Sequence, residues 1–493
     1  MRYDTHRPMD ARCRPTNPAV GLLFVCSGDA GWLLMLDLDG ARVLVVGLGD
    51  TGLSMVRWLQ RHGAIVCATD TRETPPHAAT LRRELPQVPQ VLGAGPGDQL
   101  SGVDIVAVSP GVDRRAGAIA QAARRGVTVV GDVELFAQAL TARDVVPPVL
   151  AITGSNGKST VTAMAGTVCE AAGLRPVIAG NIGLPVLDAL TAIENGAAEP
   201  GAFVLELSSF QLESTASLRA DAATVLNLSE DHLDRYDGMR EYAAAKSRIF
   251  SGDGRQVLNR QDEFSIGMAR PGRHVVTFGL DKPRASEDWG LERTDAGVTL
   301  MRGETPLALA DTLRVAGLHN AANALTAGAL CRAIGVSDAA IIRGWQAFEG
   351  LPHRVKNINK INNIEFIDDS KGTNVGATVA ALTGMQQPVV LIAGGDGKGQ
   401  DFAPLAVAAR AKARAIVLLG RDAPRIAAAI GDDVPVLRAT DMAQAVELAF
   451  GLAHPGDAVL LSPACASYDM YRNYIHRAEV FGTEVAALKR RRA

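Results

Sequence analysis

Residues 154–160, GSNGKST, bring glycines, a lysine and two hydroxyls into one short stretch after an apolar run. Glycines let a backbone close around an anion, so the N–H groups of 154 to 158 can face phosphate oxygens. Lys158 can then reach the β- and γ-oxygens, and Ser159 or Thr160 can offer a hydroxyl to Mg²⁺. Gly154, Ser155, Asn156, Gly157, Lys158, Ser159 and Thr160 are therefore the candidate ATP-phosphate loop, although the full GxxxxGK[ST] spacing is absent.

Such a loop needs acidic and metal partners. Glu206 closes an apolar run in AFVLELSSFQLE (202–213), where a magnesium ligand or a rim carboxylate would stand. His232 sits among acidic residues in SEDHLDRY (229–236), which reads equally as a cation site or an exposed helix cap. Lys246, in AAAKSRIF (243–250), reads from the residues alone as a solvated helix lysine. Asn320 and Asn323 share a helical face in GLHNAANALTAG (317–328), suited to a base or ribose or to close helix packing. FIDDSKGTNVGAT (366–378) ends a strand in groups that bind carboxylates and phosphates, or that cap a helix. GLGDTG (47–52), with Asp70 beyond it, allows a diphosphate to approach a helix N-terminus. NAD and UDP would both satisfy that geometry.

Three segments position these groups: 41–64, 149–173 and 388–410. Each begins with a β-branched or aliphatic run, passes through glycines and continues at helical spacing. Continuous apolar strands alternating with helices predict parallel sheets covered on both faces. Pro147-Pro148 marks one linker and GLPHR (350–354) another. The chain reads as α/β with three domains: a Rossmann-like domain over 39–140, a central P-loop domain with a parallel sheet over 141–350, and a Rossmann-like domain over 351–493. Residues 251–315 read as short strands at the edge of the central domain.

The 493 residues exceed one ordinary core, and a net charge of −3 argues against nucleic acid or an anionic membrane as partner. The terminal KRRRA reads as a solvated tail. Six widely spaced cysteines without a CxxC pair exclude a disulfide framework or zinc cluster and favour a reducing compartment. Residues 1–38 read as a disordered extension. The apolar run ending at Cys26 is broken by Ser27, Gly28 and Asp29 rather than by a cleavage site. Residues 1–34, before Met35, are expected to be dispensable.

TGSNGKST, GNIGLP (180–185), ELSSFQLE, EDHLDRY, AAAKSRIF, GLHN, LPHR, DSKGTN, GGDGKG (394–399) and SPACASYD (462–469) occur in the order seen in the Mur ligases, which the chain resembles from about residue 40 to 490. The resemblance implies ATP-dependent amide ligation in peptidoglycan precursor synthesis, through an acyl phosphate, in a monomeric cytoplasmic enzyme. SPACASYD and GNIGLP favour the branch that adds D-glutamate to UDP-N-acetylmuramoyl-L-alanine over other Mur-type or folylpolyglutamate-type ligases. It also implies UDP, not NAD, at the first domain, with Thr51, Asp70, Thr71 and Arg72 around it and Asn181 on the muramoyl group.

By the same resemblance, ATP would meet the 154–160 loop, with Asn320 and Asn323 on the adenine side and Arg354 and Asp369 on ribose and phosphates. Two Mg²⁺ are implied, one at Ser159 and Glu206, the other at His232 and an N-carbamylated Lys246. D-Glutamate would meet Lys371, Thr373, Lys398 and Ser467, with Tyr474 nearby. Where the family usually carries Phe, this chain has Tyr474. Lys158, Glu206, His232 and Lys246 would form the catalytic set.

Overall fold

The computed structural model describes residues 22–26, 32–115, 117–295, 297–315 and 317–492. Contacts divide the chain into two compact units. One takes the sequence up to Pro147 together with Ala179–Glu199 and Phe210–Leu218; the other takes Pro148–Ile178, Pro200–Ser209 and the remainder from Arg219.

The first unit holds a parallel sheet ordered Gln90–Leu92, Ile65–Asp70, Arg42–Val46, Ile105–Val108 and Thr128–Val130. Arg42–Val46 is buried at every position but its first, as its RVLVV run predicts. Strand order reverses around it, and GLGDTG follows at its C-terminal end. Gly52 sits so close to the turn that an added Cβ would lie 1.8 Å from the Gly47 carbonyl oxygen. That approach is what the fingerprint spacing provides.

Most of the expected disordered extension lies outside the described residues. Leu22–Cys26 and Trp32–Leu36, however, pair as an antiparallel hairpin, so that stretch is strand. The Leu36 N–H donates to Gln138 Oε1 at 3.1 Å.

The second unit holds two sheets. The first is nine-stranded; within it Val149–Thr153, third from one edge, is flanked by Ala202–Glu206 and Ala222–Val225, both parallel to it. Residues 251–315 supply its outer strands: Arg255–Asn259, Val275–Phe278, Trp289–Thr294, Gly297–Arg302 and Thr305–Leu309, the last two antiparallel. Trp289 and Trp345 meet edge to face at 6.1 Å in its core. Gly328 fits between them, since a Cβ there would lie 2.7 Å from both rings.

The second sheet runs Lys356–Ile361, Ile364–Asp368, Ala458–Leu461, Val389–Ala393, Ala413–Leu418 and Val436–Arg438; only its first strand is antiparallel. Separate apolar clusters cover its two faces. This is why VVLIA (389–393) is apolar throughout instead of alternating.

Candidate active site

The strand Val149–Thr153 delivers the chain into the 154–157 turn, and the helix Lys158–Ala171 leaves it. Both glycines are obligatory there. Gly154 has φ +150° and Gly157 φ +84°; a Cβ on Gly154 would meet Leu226 at 2.9 Å, and one on Gly157 would meet Asn323 Oδ1 at 2.8 Å. The turn is locked from one side. Ser155 N donates to Asn227 O at 2.8 Å, Asn156 N to Asn227 Oδ1 at 2.9 Å, and Asn227 Nδ2 back to Asn156 O at 3.1 Å. Two of the five N–H groups expected to face phosphate are thus engaged internally. The donors at the start of the following helix, which lack intrahelical acceptors, remain for an anion.

Lys158 Nζ folds back onto the Gly154 and Ser155 carbonyls at 2.7 and 2.8 Å. Burial pushes its ammonium below the ordinary lysine value, while Glu206 and Asp231 oppose the shift. Register puts Glu206, 1% exposed, opposite Ile152 on the neighbouring strand, so it is not a rim carboxylate.

Lys246 departs most from its reading in isolation. It is 1% exposed, not a solvated lysine. Its Nζ donates to Gly154 O at 3.0 Å and Thr153 Oγ1 at 3.3 Å, and lies 4.6 Å from the Tyr242 ring centroid. Burial, aided by the Lys158 charge, holds its amine well below the lysine value.

The loop after Ala222–Val225 carries Asp231 and His232. His232 adopts φ +56° and places Nε2 3.6 Å from Asp231 Oδ2. Burial pushes the imidazole down to about 4 despite that carboxylate, leaving a neutral ring able to ligate a cation. Asp231 is buried, which excludes the exposed-cap reading. Asn323 Nδ2 donates to Asn320 Oδ1 at 3.2 Å on the helix Leu318–Ala333, beside Gly157.

The C-terminal sheet brings its loops to the same place. Arg354 Nη2 donates to Ser159 Oγ at 3.0 Å. Its neighbours His353 and Val355 have φ +61° and +47°, sparsely populated values for such residues. Asp369 accepts from Ser462 Oγ at 2.6 Å, and burial pushes its carboxyl up to about 7 against the Arg354 charge. Lys371 Nζ lies 3.9 Å from the Tyr474 ring centroid; burial and the Arg354 charge push it down to about 8. Thr373 N donates to Lys371 O, and Lys398, at φ +51°, donates to Asp231 Oδ1 at 3.0 Å. Ser467 is buried in the neighbouring turn.

In the first unit, Asp70 accepts from Leu48 N at 2.8 Å and binds Arg72 through both carboxylate oxygens. Chiefly through Arg72, its carboxyl falls to about 2. Thr51 is the second residue of the helix Asp50–Arg61, which begins within GLGDTG, and Thr71 and Arg72 are exposed beside Asp70; Asn181 is exposed in the same unit.

Residues not anticipated from sequence complete the arrangement. Arg477 is 2% exposed and donates to Ser370 Oγ, Ser370 O and Cys465 O, tying together the loops that carry Lys371 and Ser467. Its only signal was position, since it shares a helical stripe with Phe481, Val485 and Leu488. Tyr242 and Ser155 join through their hydroxyls at 3.3 Å.

Among the described residues no trio of His, Cys, Asp or Glu gathers into a metal cage. The Ser159 hydroxyl and the Glu206 carboxylate are nevertheless hard oxygen donors, with the neutral His232 imidazole a borderline donor beside them. Mg²⁺ binds in that manner, through few protein groups plus phosphate and water.

Comparisons with known proteins show what the whole chain is similar to. The family model described as "Mur ligase MurD-like, N-terminal domain" matches residues 41–131, "Mur ligase middle domain" 152–331, and "Mur ligase, glutamate ligase domain" 353–465. UDP-N-acetylmuramoylalanine–D-glutamate ligase of Thiobacillus denitrificans is 57% identical over 471 residues, covering 93% of this chain and 98% of that protein. The ligase of that name from Nitrosospira multiformis is 53% identical over 462 residues, covering 93% and 98%. In fold, the chain is similar to MurF from Acinetobacter baumannii, with a TM-score of 0.57 and 19% identity over 92% of this chain and 91% of that one.

Proposed function

Since this chain is a member of the Mur ligase family, we propose that it joins D-glutamate to UDP-N-acetylmuramoyl-L-alanine, converting ATP to ADP and phosphate. The observation that carries the reading is the convergence of the Lys158 loop, Arg354 and Lys371 on one side of the second unit, with relatives bearing that ligase name at over half identity.

An amine and a carboxylate do not condense usefully at neutral pH, so the carboxylate must first be activated. The L-alanyl carboxylate oxygen attacks the γ-phosphorus in line, the bond to the β-phosphate oxygen breaks, and ADP leaves an acyl phosphate. Lys158 swings from the Gly154 and Ser155 carbonyls to the transferring oxygens, supplying charge where it builds up. The D-glutamate amine then attacks the acyl carbon, and phosphate departs with the carbon–oxygen bond pair. Lys371, Thr373, Lys398 and Ser467 orient the amino acid for that step, with the Tyr474 ring beneath Lys371. Asn320 and Asn323 face the adenine side; Arg354 and Asp369 hold ribose and phosphates. Thr51, Asp70, Thr71 and Arg72 take the UDP, and Asn181 the muramoyl group.

Ser159 and Glu206 would hold one Mg²⁺, and His232 with Lys246 a second; bound there, the ions supply positive charge to phosphate oxygens. An ammonium at Lys246 would repel a cation. Burial, which holds the Lys246 amine below the ordinary lysine value, favours the unprotonated form, and that form can add to CO₂, lose a proton and become a carbamate with carboxylate-like oxygens. His232 acts in the metal shell, not as general base. No helix of the described residues is long and apolar enough to cross a membrane, and we place the enzyme in the cytoplasm as a monomer.

The decisive experiment measures phosphate release with UDP-N-acetylmuramoyl-L-alanine and ATP against a panel of amino acids. D-Glutamate alone should support turnover. Turnover with another amino acid, or with a folate acceptor, would replace the reading with the corresponding ligase.

A further inference from the structure

Asn374 uses the two ends of its amide for different purposes. Oδ1 accepts from Ala377 N at 2.9 Å and caps the helix Val375–Gly384. Nδ2 donates to Asn156 Oδ1 at 3.0 Å and reaches Asp231 Oδ2 at 3.4 Å. Asn374 is 3% exposed, so none of these bonds is shared with bulk water.

Asn156 lies at the tip of the phosphate turn, between Ser155 and Gly157. Its own Nδ2 donates to Ser229 Oγ at 3.2 Å. Gly376 permits the approach, since a Cβ there would lie 2.9 Å from Ser229 Oγ and 3.1 Å from Asn156 Nδ2.

The contacts close into a ring. Val375 N donates to Gln400 Oε1 at 2.9 Å, and Gln400 Nε2 donates to Gly397 O at 2.8 Å, so the capped helix end also holds the GGDGKG turn. Lys398 of that turn returns to Asp231 at 3.0 Å. Asp231 completes the circuit to Asn374. Through this ring a displacement of the phosphate turn reaches both loops that carry Lys371, Thr373 and Lys398.

We propose that Asn374 is a positioning residue that couples nucleotide occupancy of the 154–160 turn to amino-acid binding by the 371–373 and 396–400 loops. It acts through Asn156 and Asp231 and touches neither substrate. Naming the amino acid as D-glutamate rests on the function proposed above; the coupling itself does not.

The cap and the coupling are separable chemically. Asn374→Ser and Asn374→Asp both keep an oxygen acceptor for the helix N-terminus. Both lose the Nδ2 donor, and the aspartate also opposes Asn156 Oδ1 and Asp231 with a like acceptor.

With the full-length enzyme and a non-hydrolysable ATP analogue, both variants should keep the wild-type analogue affinity within about twofold; Asn374→Ser should melt close to the wild type, and Asn374→Asp lower, because it buries a carboxylate beside Asp231. KM for D-glutamate should rise about tenfold, the scale of one lost buried hydrogen bond, with a smaller change in kcat. Hydrogen exchange gives a readout that needs no amino acid. In the wild type the analogue should protect amides 372–376 and 397–400, and in Asn374→Ser that protection should vanish while protection of 157–161 persists. Protection at both loops in Asn374→Ser, or an unchanged KM, would overturn the proposal. So would a KM that rises in Asn374→Ala but not in Asn374→Ser, which would make the residue a cap only. A wild type that shows analogue-dependent protection but no turnover with D-glutamate would refute the functional reading and leave the coupling standing.

Discussion

The Nζ atoms of Lys158 and Lys246 converge on one acceptor, the Gly154 carbonyl oxygen, at 2.7 and 3.0 Å. Two ammonium groups around one dipole repel each other, and burial withholds the water that would screen them. The more buried of the two, Lys246, carries the larger downward shift, and the charge of Lys158 contributes to it. One turn of backbone thus holds the lysine expected on phosphate beside a second amine that burial and that neighbour's charge push below the ordinary lysine value.

Modification of Lys246 follows from that pairing. Lys246→Ala should lose most activity, and added acetate should restore part of it by replacing the missing oxygens. Lys246→Arg should fail as well, because guanidinium keeps the positive charge. Labelled bicarbonate should give a carbamate carbon signal in the wild type that is absent from both variants. Full activity in folded Lys246→Ala, or no carbamate signal, would refute the assignment.

Lys158→Ala removes the point charge expected on the β- and γ-oxygens. Turnover should fall by several orders of magnitude while the circular dichroism spectrum and melting transition stay native-like. Near-normal phosphate release from the folded variant would mean that the 154–160 turn holds something other than a transferring phosphate.

Lys371 predicts a pH limit. With its amine at about 8, it is a cation below that pH and a neutral amine above it. Only the cation attracts a substrate carboxylate, so KM for D-glutamate should be flat below pH about 8 and rise about tenfold per unit above it. Lys371→Arg should remove the break, since guanidinium does not titrate there. The ring beneath matters more than its hydroxyl. Tyr474→Phe should change KM by less than about twofold, whereas Tyr474→Leu should cost about 1 kcal/mol, roughly fivefold.

Asp369 predicts an opposite signature in stability. Its folded carboxyl titrates at about 7, above the ordinary 3.8. Its contribution to stability is therefore fully present below the unfolded value and is lost as pH rises through 7. Asp369→Asn should abolish this dependence, so the variant's melting temperature should gain on the wild type between pH about 5 and about 8, while activity falls. Parallel melting curves across that range would show that Asp369 is ionised in the folded protein.

The sequence by itself determined the elements and the inventory of chemistry. VLAI (149–152) and VVLIA (389–393) read as strands covered on both faces, because every side chain in them is apolar. Glycines 154 and 157, with Lys158, Ser159 and Thr160 following, were legible as a phosphate turn because their function depends on backbone freedom and local spacing. Residues 251–315, rich in Gly, Arg and Thr, were the least readable stretch, and the five strands they contribute to the sheet carried only a weak local pattern.

Burial was decided only by the tertiary structure. Lys246 meets Gly154 across 92 residues of chain, and Asn374 meets Asn156 across 218. Arg477 reaches Ser370 across 107. Nothing in AAAKSRIF itself distinguishes a solvated lysine from a desolvated one, because the strand and turn that meet its amine, at Thr153 and Gly154, arrive from elsewhere in the chain. Likewise the two N–H groups that Asn227 withdraws from the phosphate turn depend on two strands distant in sequence pairing within one sheet, and the ring through Asn374 and Gln400 exists only once separate sheets pack together. Propensity and pattern are local quantities; a side chain's charge state and its partners depend on the whole fold.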